Sequence, residues 1–169
     1  MNDRKWRLIV EVGGIAVVVA SLMLVVFELR QNTNALRGST MDAITERGQF
    51  ELHWSNEIAS IFVKAIQDPS QLDTVEAYRL SEWMSAALNA RQSEFVQYQL
   101  GLLDENGWLP IENVIELMFS FEWSREWWLI YRGGYWNQDF TSRVDQLIEE
   151  SNIDYKEILE QLSNIGSDQ

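Results

Sequence analysis

Twenty consecutive residues, Leu8 to Phe27, read LIVEVGGIAVVVASLMLVVF and carry a single charge, Glu11. As a helix such a run is about 30 Å long, close to the hydrocarbon thickness of a bilayer. A helix lying on a soluble core keeps a polar side, and this run has none. A cleaved signal peptide has a shorter apolar stretch, about 7–15 residues, closed by a small-x-small site. Here Phe27 continues directly into Glu28-Leu29-Arg30-Gln31. The expectation is an uncleaved single-pass transmembrane helix over residues 8–27, preceded by a short polar tail at 1–7. Arg4, Lys5 and Arg7 flank one end of the span with Trp6, a residue suited to the membrane interface. Arg30, Arg37 and Arg47 follow the other end, so counting basic residues leaves open which side the rest of the chain occupies.

Glu11 is the fourth residue of the span and sits about 5 Å inside its edge. Arg7 precedes it by one helical turn, and the two side chains can pair. The plainer reading is a paired, snorkelling carboxylate. The functional one is a ring of Glu11 side chains in an oligomer, holding a cation or standing at a pore mouth. Gly13, Ala16 and Ala20 share one side of the helix, nearly opposite Glu11. Small residues in that pattern let a second helix approach closely in lipid.

After a juxtamembrane helix or connector at 28–39, residues 40–169 hold eight basic against 23 acidic residues, a balance of −15. They also hold seven of the eight tryptophans. About 130 residues suffice for a core. The acidity argues against nucleic-acid binding, which needs clustered Lys and Arg. Zero cysteines exclude disulfides, thiolate zinc sites and a cysteine nucleophile; one histidine excludes a multi-histidine metal site. Two prolines and 46% apolar residues argue against disorder.

The periodicity is helical throughout. Ile44, Phe50, Trp54, Ile58, Ile61, Phe62 and Ala65 share a helix face, which predicts one element ending before Asp68-Pro69. Gly38-Ser39-Thr40 either caps its start or is a tolerated flaw in one long helix continuing from the span. A second helix is predicted over 74–100, carrying Leu80, Trp83, Met84, Ala87, Leu88, Arg91, Phe95 and Tyr98, capped by Asp73 or Thr74 and ended by Gly101. A turn through Asp104-Glu105-Asn106-Gly107 should precede a helix over 111–121, with Pro110 in its first turn. Ser124 is placed as the cap of a short helix bearing Trp127, Trp128 and Tyr131, broken by Gly133-Gly134. Asn137 or Asp139 opens a helix through Phe140, Val144, Leu147 and Ile148, and a last amphipathic piece covers 155–162. No stretch alternates with period two. The fold class is all-α: one N-terminal transmembrane helix followed by a small helical bundle.

Glu28-Leu29-Arg30-Gln31-Asn32-Thr33, directly after the apolar run, and then Ala35-Leu36-Arg37, resemble a group of uncharacterised bacterial single-pass membrane proteins with an [LI]RQNT-like motif. Gly101-Leu102-Leu103-Asp104, Trp108, Arg125-Glu126-Trp127-Trp128 and Phe140 extend the resemblance over most of the chain. It implies an N-terminal span joined to a small helical domain in the bacterial inner membrane, and supplies no catalytic residue.

Nine aromatic residues fall between Phe119 and Phe140. Part of such a cluster builds a core, its indole N–H groups bonded to buried acceptors. The rest is a candidate interaction face: Trp123, Trp127, Trp128, Tyr131, Tyr135 and Trp136. A base-stacking platform would want interleaved basic residues, which Glu122, Glu126 and Asp139 oppose. His53 follows Arg47 by six residues, a spacing that resembles the Arg/His motif of HEPN-type ribonucleases, in which the histidine would act on the ribose hydroxyl and the arginine steady the phosphate. Chance produces this spacing readily, and an exposed helix histidine is the better reading. The paired carboxylates (Asp104-Glu105, Glu112 and Glu116, Glu149-Glu150, Glu157 and Glu160) read as solvated helix faces; the Glu-x-x-His motifs of di-metal centres are absent.

The sequence thus points to a membrane-anchored helical interaction or assembly module, self-associating or bound to a membrane protein partner. No catalytic residue, cofactor, metal or nucleic acid is expected. An oligomeric pore with Glu11 near its mouth, and a ribonuclease using Arg47 and His53, are the alternatives.

Overall fold

Helix α1 runs without interruption from Asp3 to Glu57. The structure, a computed structural model, describes residues 3–165. Met1 and Asn2 of the expected tail lie outside the described residues, and the tail's remainder already belongs to α1. Gly38-Ser39-Thr40 does not cap a new helix; the second of the two readings holds, and α1 continues through it. The hydroxyls of Ser21 and Thr33 bond back to the carbonyls of Val17 and Leu29, each at 2.9 Å, so neither is left unsatisfied. One stretch of α1, near the N-terminus, is long and apolar enough to cross a membrane. By its internal contacts the chain divides into two compact units at Met41/Asp42.

The second unit is an all-helical bundle. The single helix expected to end before Asp68-Pro69 is instead broken at Ile58, whose backbone (φ −111°, ψ 15°) leaves the helical region. No glycine or proline marks the break. Ile58 is itself buried, and α2 (Ala59–Gln67) turns away there to set Ile61, Ala65 and Ile66 into the core. Apolar spacing continues on both sides of the corner, so periodicity alone does not reveal it.

Asp68 ends α2, and its carboxylate accepts from the Ser70 backbone (3.1 Å) and hydroxyl (2.6 Å), fixing a short 3-10 turn over Pro69–Gln71. Helix α3 (Thr74–Gln99) opens on a reciprocal cap: Asp73 accepts from the Val75 and Glu76 amides, and Glu76 accepts from the Asp73 amide. It closes on Gly101, whose φ of +70° allows the amides of Gly101 and Leu102 to reach back to the Tyr98 and Gln97 carbonyls.

Helix α4 (Glu105–Met118) starts six residues earlier than the position of Pro110 suggests. Asp104 is its N-cap, accepting from the Gly107 amide at 3.0 Å. Pro110 therefore lies inside the helix, where it forfeits one backbone hydrogen bond. Gly107 leaves room for buried Leu103, since a Cβ there would sit 2.5 Å from Leu103 Cδ1.

Helix α5 (Glu122–Tyr131) begins after Phe121, and Ser124 is not its cap: the hydroxyl is buried and donates to the Phe121 carbonyl at 2.7 Å. Asn137 opens α6 (Gln138–Glu150), and α7 (Tyr155–Ile165) closes the described chain. No strand occurs among the described residues, and the chain is all-α.

The core draws on α2, α3, α4, α5 and α6, with α3 packed on α4, α4 on α6, and α2 on both α3 and α5. Leu80, Met84 and Leu88 of α3, Ile115 of α4, Trp128 of α5, and Phe140 and Val144 of α6 belong to one buried cluster. Each such side chain contributes about 1.5–3 kcal/mol by leaving water.

Candidate functional site

In the first unit, the residues singled out in the span all lie on the exposed surface of α1. Arg7 and Glu11 stand one turn apart, and Gly13, Ala16 and Ala20 form an open stripe, with nothing within 4 Å of a Cβ placed on Gly13.

In the second unit the aromatic cluster divides. Trp127 and Trp128, expected on an interaction face, are 4% and 2% exposed and belong to the core. Their indoles are satisfied inside: Trp127 Nε1 donates to Ser81 Oγ and Trp128 Nε1 to Asp145 Oδ1, both at 2.8 Å. Arg132 also reaches Asp145, at 3.2 Å, so one carboxylate fastens α5 to α6. Trp123 and Trp136 are half-buried against the core. Tyr131 stacks on Trp127 at 4.8 Å and meets Tyr135, which is exposed. The outer surface is completed by Leu129 and Ile130, the latter 75% exposed. Neither belongs to the aromatic set that marks this stretch in the sequence. Their place, one and two positions beyond the buried pair Trp127-Trp128, turns them more than about 100° away from it, onto the outer side of α5.

Arg47 and His53 are not brought together. The Arg47 guanidinium turns toward α3, 3.4 Å from the Ala90 carbonyl, whereas His53 points to solvent (78% exposed) beside Glu57 at 3.6 Å. Arg47 instead belongs to a charged seam that sequence reasoning missed. Arg91 Nη2 donates to both oxygens of Glu51 of α1, at 2.7 and 3.0 Å. Glu94, one turn along α3, is wholly buried, 3.2 Å from Arg91 Nε and 3.9 Å from Arg47 Nη1. Neither Glu94 oxygen accepts a hydrogen bond. Burial, reinforced by the charge of Glu51, pushes its carboxyl up to about 7 despite the two arginines. The signal was present in the sequence: Arg91 interrupts the apolar face of α3.

A cleft of about 420 Å³ opens beside this seam, walled by Phe50, Trp54 and Trp83 and edged by Arg47, Glu51 and Ser93. A second, more apolar cleft of about 450 Å³ lies between Phe62, Leu117, Phe121, Tyr155 and Leu159. Trp83 borders both, and its buried Nε1 has no acceptor.

Among the carboxylates read as solvated, Glu112 is an exception. It is buried and accepts from Trp108 Nε1 at 2.5 Å and from Arg143 Nε at 2.6 Å, joining α4 to α6. The Glu112 hydrogen bond also holds the Arg143 guanidinium above its ordinary basicity. Trp108 needs an acceptor inside the core, and a helix neighbour four residues on supplies it. Asp104 is committed as an N-cap, and among the described residues no three Asp, Glu or His side chains cluster as a metal site would require.

No protein-family model matches the chain, and neither a curated protein nor a solved structure matches it.

Proposed function

We propose that the protein is a membrane-anchored helical assembly module of the bacterial inner membrane, associating with further copies of itself through its span. The observation that carries this reading is the bare apolar surface of α1. From Val12 to Phe27 every large apolar side chain is exposed, and none of the best spanning segment is buried. A surface of that extent does not persist in water, whereas lipid covers it over its whole circumference. The open stripe of Gly13, Ala16 and Ala20 supports pairing of spans, because small residues give a neighbouring backbone close van der Waals contact. The exposed Leu129, Ile130 and Tyr135 offer a second apolar contact outside the lipid. The likeness of Glu28-Leu29-Arg30-Gln31-Asn32-Thr33 to bacterial single-pass proteins supports the choice of membrane.

The chain has no cysteine, so single cysteines report proximity cleanly. Ala16→Cys and Ala20→Cys, oxidised in isolated membranes, are expected to give covalent dimers. Val18→Cys, on the opposite side of the helix, is expected to give far fewer. Equal cross-linking at all three positions, or none, contradicts pairing through the stripe.

A further inference from the structure

We propose that Glu94 is a proton-binding site whose occupancy sets how firmly residues 42–57 of α1 are held on α3. Four charged side chains make the seam between these segments: Arg47 and Glu51 from α1, Arg91 and Glu94 from α3. With Glu94 ionised the group is neutral overall. Its members are nonetheless unequally served. Glu51 takes two hydrogen bonds from Arg91. Glu94 takes none: Arg91 Nε is close but misaligned, and both carboxylate oxygens and that Nε are buried without a hydrogen-bond partner. One turn further along α3, Gln97 Oε1 is also buried without a donor. Glu94 therefore holds a buried charge with no aligned donor on either oxygen, and a proton on Glu94 removes that charge.

The charges acting on Glu94 are Arg91 on its own helix and Arg47 and Glu51 on α1. Among the described residues, no charge on any other helix acts on it. Lys64 of α2 is bonded to Glu76, and Glu112 of α4 is taken by Trp108 and by Arg143 of α6. When Glu94 is protonated, Arg91 keeps its bonds to Glu51, and Arg47, about one-third exposed at the cleft edge, is solvated by water. Protonation thus removes the one buried charge that lacks hydrogen bonds and leaves the inter-helix pair intact. Acidification through neutral pH tightens the seam, and alkalinisation loosens it. The cleft beside Arg47 and Glu51 gives water, and therefore protons, access to its edge.

The test is amide hydrogen exchange on the full chain in detergent micelles at pH 5.5 and 8.0, corrected for intrinsic exchange. Residues 44–57 are expected to gain up to roughly thirtyfold protection at the lower pH, the limit set by a carboxyl moved from 4.5 to about 7. Glu94→Gln should remove the pH dependence and hold the protection at its acid level. Protection that does not change with pH in the wild type, or a dependence that survives Glu94→Gln, overturns the proposal. A variant-free check is the carboxyl carbon titration of Glu94 by NMR. A midpoint near 7 supports the proposal and one at 5 or below overturns it. Glu51→Gln should move that midpoint downward, and an unmoved midpoint contradicts the seam as described.

Discussion

Glu51 of α1 and Arg91 of α3 are joined by two charge-assisted hydrogen bonds, at 2.7 and 3.0 Å, across 40 residues of sequence. Arg91 is also the nearest cation to the buried Glu94. Replacing Arg91 by Ala strands two carboxylates, one of them wholly enclosed. The expected loss is about 3–5 kcal/mol of folding stability, the usual consequence of removing one partner from a buried ion pair. Denaturant unfolding measures it. Adding Glu94→Gln to Arg91→Ala should recover part of the loss, because the second change removes the charge left unpaired.

Stability should rise as the pH falls through neutrality. The folded-state carboxyl of Glu94 titrates near 7, above its ordinary 4.5, so the folded chain binds the proton that the unfolded chain releases. That contribution is fully present below the unfolded value and is lost as pH rises through about 7, with a full span of about 3 kcal/mol. Thermal unfolding at pH 5.5 and 8.0 should therefore give the higher Tm at pH 5.5, and Glu94→Gln should abolish the difference.

Glu112 offers a contrast in which charge and hydrogen bonds are both satisfied. Glu112→Ala removes the acceptor of the buried Trp108 indole and the partner of Arg143. Arg143 is partly exposed and can be solvated, so the expected cost is about 2–3 kcal/mol, mostly from the orphaned indole. Coupling Glu112→Ala with Arg143→Ala in a double-mutant cycle should reveal an interaction energy of about 1–2 kcal/mol.

Gly107→Ala tests the packing of α4 on its own entry loop. The added methyl would lie 2.5 Å from Leu103 Cδ1, and Leu103 is buried. Crowding of that kind costs about 1–3 kcal/mol. A variant with unchanged urea midpoint would show that Leu103 can move aside.

The helical character of the chain and most helix ends were legible because their determinants are local. Asp73 with Glu76, Gly101 beyond α3 and Asn137 before α6 act through backbone groups within a few residues of themselves. The break at Ile58 was not legible, since what turns the chain there is burial against α3, α5 and α7. Pro110 misled for a related reason: a cap and a glycine cradle upstream outweigh one lost hydrogen bond. The tryptophan cluster was visible as a feature but not as a surface. Only the partners Ser81 and Asp145, remote in sequence, decide that Trp127 and Trp128 face inward. The seam of Glu51, Arg91 and Glu94 needed α1 and α3 to be placed side by side.

Everything proposed for the span depends on lipid covering Val12 to Phe27. The most direct measurement is fractionation of cells making the full-length protein, with the membranes washed in alkaline carbonate. The protein is expected to stay in the pellet and to be released only by detergent. Its recovery in the carbonate supernatant would contradict the account.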